Sequence, residues 1–281
     1  MSVYDLGRRR GVVRPSPLFL TVVAVTAVGG GIAWVADDFG SRVGDFGVFL
    51  FVLGAWVMSV CFHEFAHAYI AYRAGDRSVE ARGYLTLNPF KYTHPLLSII
   101  LPLIAIIAGG FALPGGAVYL NPHTFRTRAQ RSLASAAGPL TNVAFAIVLI
   151  LVAKSHSNAS EVAYAQHFAF ASAPTDHGRI WGAVGFLGLL QLTAAVLNLL
   201  PVPGLDGYGI IEPYLDPETR RVGEKIKPWG LLGVILIVFY VRPLKNAFFD
   251  LVNAIYRALG GSDFLPSLGY TFFKWWTKNP L

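Results

Sequence analysis

Charge is what this sequence has least of. Asp, Glu, Lys and Arg make up 14% of its 281 residues, where soluble domains carry about 25%. More than half of the chain, 54%, is hydrophobic, and the long apolar runs alternate with short loops that hold nearly all the Lys and Arg. That distribution excludes one large soluble core and points to a polytopic membrane protein. Cysteine is almost missing: Cys61 stands alone, which excludes an intrachain disulfide and a cysteine-based metal cluster. No basic helix and no basic–aromatic face is present, so the net charge of +7 reads as cationic loops beside membrane spans and not as a nucleic-acid surface. No repeat, low-complexity tract or loop large enough for a second folded domain interrupts the chain, and residues 1–281 read as a single domain.

Five runs, 17–36, 46–72, 132–153, 181–200 and 229–241, qualify as spans, although the last is short against the roughly 20 residues a crossing needs. The first follows Arg8-Arg9-Arg10 and has the outline of a signal peptide. It is long for one, and Trp34 stands where cleavage needs a small residue, so an uncleaved span is the expectation. A sixth run, 95–113, contains Pro102, Gly109 and Gly110. Arg8, Arg9, Arg10 and Arg14 place the amino terminus in the cytoplasm by the positive-inside rule. Basic loops flank 95–113 on both sides, which makes that run re-entrant, with an ordinary span as the open alternative. Non-helical backbone at such depth needs protein or a water-filled cavity around it. Further on, 244–259 sets Leu244, Phe248, Leu251, Ile255 and Leu259 on one face, as an interfacial helix does, and Trp275 and Trp276 suit an interface anchor.

The chemistry concentrates at His63-Glu64-Phe65-Ala66-His67, inside the second run. Residues four apart share a helix face, so both imidazoles reach one ion, and Glu64 lies beside it as a base for bound water; this is the HExxH pattern of zinc hydrolases. Alone the pattern is moderately specific. An ionisable residue in mid-membrane costs roughly 2.5–3.5 kcal/mol, so three such groups in five residues need compensation, and metal coordination supplies it. A polar helix–helix seam or a two-histidine haem site are the competing explanations, and the haem site leaves Glu64 without a role. A catalytic zinc takes three protein ligands and keeps one position open. His94, His123, His156, His167 and His177 sit in loops or at loop edges, whereas Asp206 ends the broken stretch Asn198 to Gly207 after the fourth long run. An Asp-Gly surface turn is the bland explanation of that dipeptide. If 95–113 is re-entrant, His67 and Asp206 fall on the same cytoplasmic end.

Assembled, these residues resemble the site-2 protease family of intramembrane zinc metalloproteases. The resemblance covers 63–207 and rests on His63-Glu64-x-x-His67, Leu87-Asn88-Pro89, Pro114-Gly115-Gly116, Ala137-Gly138-Pro139-x-x-Asn142, and Asn198-x-x-Pro201 through Asp206-Gly207. It implies one zinc per chain held by His63, His67 and Asp206, with Glu64 as the catalytic glutamate. It also implies that Asn142, Asn198, Gly115 and Gly116 lie near the substrate, with an edge strand over 117–120. The regulatory domains that many members carry are absent from this sequence. The expected fold is therefore an all-α polytopic membrane protein with six membrane segments, a re-entrant loop, a small β-strand element near the site, and a core over 46–210. The expected partners are a transmembrane protein substrate and the lipid bilayer. A transporter or channel using a buried His/Glu/Asp site is the alternative from another class, and Glu64 separates the two because only hydrolysis needs a base beside the metal.

Overall fold

The computed structural model describes residues 13–37, 41–92, 104, 106–107, 118–170 and 177–277. Among them there is helix and no strand. Helix α1 is Pro17–Val35, capped by Ser16, whose hydroxyl accepts from the Phe19 amide, and opened by a proline where no amide is missed. Helix α2, Arg42–Ala74, runs 33 residues from an accepting Ser41 cap to Gly75, whose φ of 116° suits a glycine terminator. At about 1.5 Å per residue it spans about 50 Å, more than the hydrocarbon thickness. A short α3 (Ser78–Ala81) and turns at 84–86 and 89–91 follow. Next come α4 (Arg128–Phe170), α5 (Gly178–Asn198), α6 (Asp206–Ile211), α7 (Pro217–Tyr240), α8 (Arg242–Ala258) and α9 (Phe264–Phe273).

Four helices, α1, α2, α4 over Arg128–Ser157 and α5, are long and apolar enough to cross a membrane; a fifth crossing is counted if α7 and α8, bent by 92°, are one broken span. The chain is thus an all-α integral membrane protein. In α5, 83% of the apolar window is buried, against 22% in α1, which makes α5 the central helix and α1 a peripheral one. Apolar side chains of α2, α5 and α9 form one core, and those of α4, α5, α7 and α8 a second. Helix α1 lies on α2 at backbone distance: a Cβ on Gly29 would stand 2.6 Å from the Phe51 nitrogen.

The contacts also give the directions of the helices. Asp45 near the start of α2 meets Arg179 at the start of α5, while His63 and His67 late in α2 meet Asp206 just past α5. The two helices therefore run parallel. Helix α4 brings its first turns, Ala134 to Asn142, to the same histidines and so runs the opposite way. It follows that α2 ends and α4 begins at one face of the bundle. The run 95–113, apart from 104, 106 and 107, lies outside the described residues, as do Gly115 and Gly116.

Two helices are longer than their apolar runs. Helix α4 passes beyond 153 to Phe170 because no Gly or Pro stands between Leu140 and Phe170. This places His156 and His167 on a helix where loops were expected, and His156 stacks on Trp181 at 3.6 Å between ring centroids. Helix α7 begins at Pro217, well before 229, on an Asp216 cap that accepts from the Thr219 amide. Residues 118–120 have no regular structure, so the expected strand is not seen in its described part.

Candidate metal centre

Three side chains from two distant parts of the chain converge at the end of α2. His63 and His67, one turn apart, turn their Nε2 atoms toward each other at 3.1 Å. Asp206 stands over both, with Oδ2 at 3.2 Å from His63 Nε2 and Oδ1 at 3.4 Å from His67 Nε2. It gets there because Pro201 and Pro203 stop α5 and the chain turns back through Gly204, whose φ is 101°. Gly207 completes the reversal: a Cβ there would collide with the carbonyls of Leu199 and Leu200. The Asp-Gly dipeptide therefore opens helix α6, and the turn before it, through Pro203 and Gly204, is what delivers the carboxylate to the histidines.

The other ring nitrogens are engaged. His63 Nδ1 lies 2.5 Å from Asn142 Oδ1, and His67 Nδ1 lies 2.6 Å from the Ala134 carbonyl oxygen. A backbone carbonyl only accepts, so His67 Nδ1 carries the proton and its Nε2 presents a bare lone pair. Such partners fix ring orientation in metal sites. Both histidines are 5% exposed, and the Asp206 side chain is 26% exposed. Glu64 is 1% exposed, with Oε1 at 4.0 Å from His63 Nε2 and Oε2 buried without a hydrogen-bond partner among the described residues.

Zinc fits this donor set. A tetrahedral ion with bonds of about 2.0–2.1 Å to nitrogen and oxygen sets its ligand atoms about 3.3–3.4 Å apart; here the two Nε2 atoms stand 3.1 Å apart, with one Asp206 oxygen 3.2 Å from His63 and the other 3.4 Å from His67. Without a cation, lone pairs and a carboxylate would face one another in a buried space. Gly138 keeps that space open, since a Cβ on it would collide with His67 Nε2.

A cavity of about 580 Å³ adjoins the centre; Glu64, His67 and Asp206 form one wall, with Val118 and Tyr119 also lining it. Its lining continues to Arg131 and Glu212, paired at 2.6 Å, and to Glu224 and Lys227 at 3.5 Å, which makes a charged mouth.

Of the residues singled out in the sequence, His63, Glu64, His67, Asp206 and Asn142 stand together. Asn198 is buried at the end of α5, and no hydrogen bond joins it to the other five among the described residues. Asn142 uses both ends of its amide on protein partners, His63 and Gln191. The sequence reading missed Gln191, Ser59 and the Ala134 carbonyl. Gln191 had a signal, as an amide in the middle of an apolar helix; a backbone carbonyl has none.

The pattern of Peptidase family M50 matches residues 48–241. The candidate zinc metalloprotease Rip2 of Mycolicibacterium smegmatis is 46% identical over 269 residues, 95% of this chain and 96% of the relative. Rip2 of Mycobacterium tuberculosis is 43% identical over 275 residues, 97% of this chain and 98% of the relative. The candidate zinc metalloprotease YwhC of Bacillus subtilis is 33% identical over 192 residues, 68% of this chain and 80% of the relative. No solved structure matches the chain significantly. The matched stretch contains every residue of the centre, and the chain belongs to Peptidase family M50.

Proposed function

We propose that this membrane protein is a site-2-type zinc protease that hydrolyses peptide bonds within or near transmembrane segments of other membrane proteins. His63, His67 and Asp206 hold one zinc ion per chain, and Glu64 is the catalytic glutamate. The observation that supports this most is the closeness of the three donors, with the Nδ1 of each histidine already bonded elsewhere.

Zinc, when bound, supplies a Lewis acid and a water acidified to a pKa of about 7. Glu64 Oε2, buried and without a hydrogen-bond partner among the described residues, accepts the proton of the attacking water and returns it to the leaving amine. Asp206, on the cavity side, keeps the centre open toward the substrate. A helical substrate must unwind to expose a peptide bond, and freed amides in a membrane need partners. Chain segment 117–120 supplies them by strand pairing, a role that its position on the cavity wall supports at Val118, Tyr119 and Leu120. Gly115 and Gly116 let the substrate backbone approach, and Asn198 binds substrate at the end of α5. Asn142 serves through His63.

The chain forms one domain with its core at 46–210 and six membrane segments, of which 95–113 is re-entrant. Its amino terminus is cytoplasmic and it resides in the cell membrane. Cleavage of single-span substrates by reconstituted protein tests this reading, comparing wild type with Glu64→Gln at equal zinc content. Cleavage that vanishes in the variant is the expected result. Equal cleavage would remove Glu64 from its role, and zinc binding without any cleavage would favour transport.

A further inference from the structure

We propose that Gln191 and Ser59 set the direction of a buried hydrogen-bond relay that fixes the tautomer of His63, which makes Gln191 a positioning residue of the metal centre. The inference rests on the zinc reading above. The relay crosses three helices. The Ser59 hydroxyl donates to the Trp56 carbonyl at 2.8 Å, and Gln191 Nε2 donates to Ser59 Oγ at 2.8 Å. Asn142 Nδ2 donates to Gln191 Oε1 at 2.7 Å, and Asn142 Oδ1 faces His63 Nδ1 at 2.5 Å. Ser59, Gln191, Asn142 and His63 are each 5% exposed or less.

Direction follows from the far end. The Trp56 carbonyl can only accept, so the one hydroxyl proton of Ser59 goes to it. Ser59 then offers Gln191 only an acceptor, and Gln191 must turn its NH₂ that way and its oxygen toward Asn142. Asn142 in turn gives its NH₂ to Gln191 and its oxygen to His63. His63 Nδ1 therefore carries the proton, and Nε2 keeps a lone pair aimed at His67 Nε2 and Asp206. Reversing the relay forfeits the Ser59–Trp56 bond and puts an N–H on Nε2, where it blocks a ligand position. His67 needs no such device because a backbone carbonyl fixes it directly. His63 meets a side-chain amide, which can present either end, and an amide needs something behind it to choose.

The test is a double-mutant cycle on zinc affinity in purified protein, measured by competition with a chelating dye. Gln191→Leu frees the Asn142 amide to turn, and losing such an outer partner costs roughly 10–100-fold in metal affinity. Asn142→Asp offers His63 an acceptor whichever way it turns, so Gln191→Leu in that background should change zinc affinity little. The ligand-field absorption of cobalt-loaded protein should follow the same order, disturbed in Gln191→Leu and restored in the double variant. Unchanged affinity in Gln191→Leu would overturn the proposal. A loss of equal size in both backgrounds would overturn it too, since that is what disrupted packing alone produces. Failure of wild type to bind zinc or cobalt would instead sink the metal reading, and the relay's purpose with it.

Discussion

The two ends of helix α5 solve the same problem in opposite ways. At its start, Asp37 and Asp45 are drawn inside the fold, and the chain supplies its own cation: Arg179, 2% exposed, lies 3.1 Å from Asp45 and 3.7 Å from Asp37, with its guanidinium over the Phe272 ring. At the far end, Glu64, Asp206 and two histidines gather, and among the described residues no Lys or Arg ion pair reaches either acid. A buried charge must be paired or bind a metal. One end finds its counter-charge within the fold, and the other, on the zinc reading proposed above, takes an ion from outside. A buried acidic cluster therefore says little about function until the search for an internal cation has failed.

Removing the room for that ion should have the largest effect. Gly138→Ala places a methyl against His67 Nε2, and bound zinc should become undetectable by metal analysis while the α5 start is untouched. Glu64→Gln should keep zinc at wild-type content yet lower the cleavage rate about 10²–10⁴-fold, the usual contribution of a general base. A variant that lost its zinc would show Glu64 to be part of the ligand set. Arg179→Met tests the other end: breaking a buried pair costs about 3–5 kcal/mol, read as a fall in thermal stability in detergent, with zinc affinity unchanged. If zinc affinity fell as well, the two ends would be coupled and the contrast lost. The smallest effect concerns Asp37. Burial holds its carboxyl above its ordinary value of 3.8, with Arg179 pulling the other way. Because the folded form binds this proton more tightly, its stabilisation is complete below 3.8 and is lost as pH rises through the raised folded value. Asp37→Asn should flatten that part of the stability–pH curve, and an unchanged slope would assign it to another group.

What the sequence disclosed follows the same divide between groups that act at short range and groups that need a distant partner. His63, Glu64 and His67 are legible because helical spacing alone puts both imidazoles on one face with the glutamate beside them. Asp206 is legible because Pro201, Pro203 and Gly207 break a span beside it. Helix ends were harder, since apolar runs mark where lipid ends and not where helix ends. Asp216-Pro217 was a readable start for α7, but the charges from Arg220 to Lys227 hid it. The pairing of Arg179 with Asp45 is not legible in the sequence, because a contact across 134 residues leaves no local trace. Gln191 stood out locally as an amide in an apolar run, but its partners on α2 and α4 lie far off in sequence.

The charged mouth at Arg131, Glu212, Glu224 and Lys227 also bears on how products leave. Cutting an amide turns one neutral group into a carboxylate and an ammonium, and neither ion is tolerated in hydrocarbon without a partner. In the proposed reaction, a cavity lined by these charged pairs offers both new ends water and counter-charge as they form.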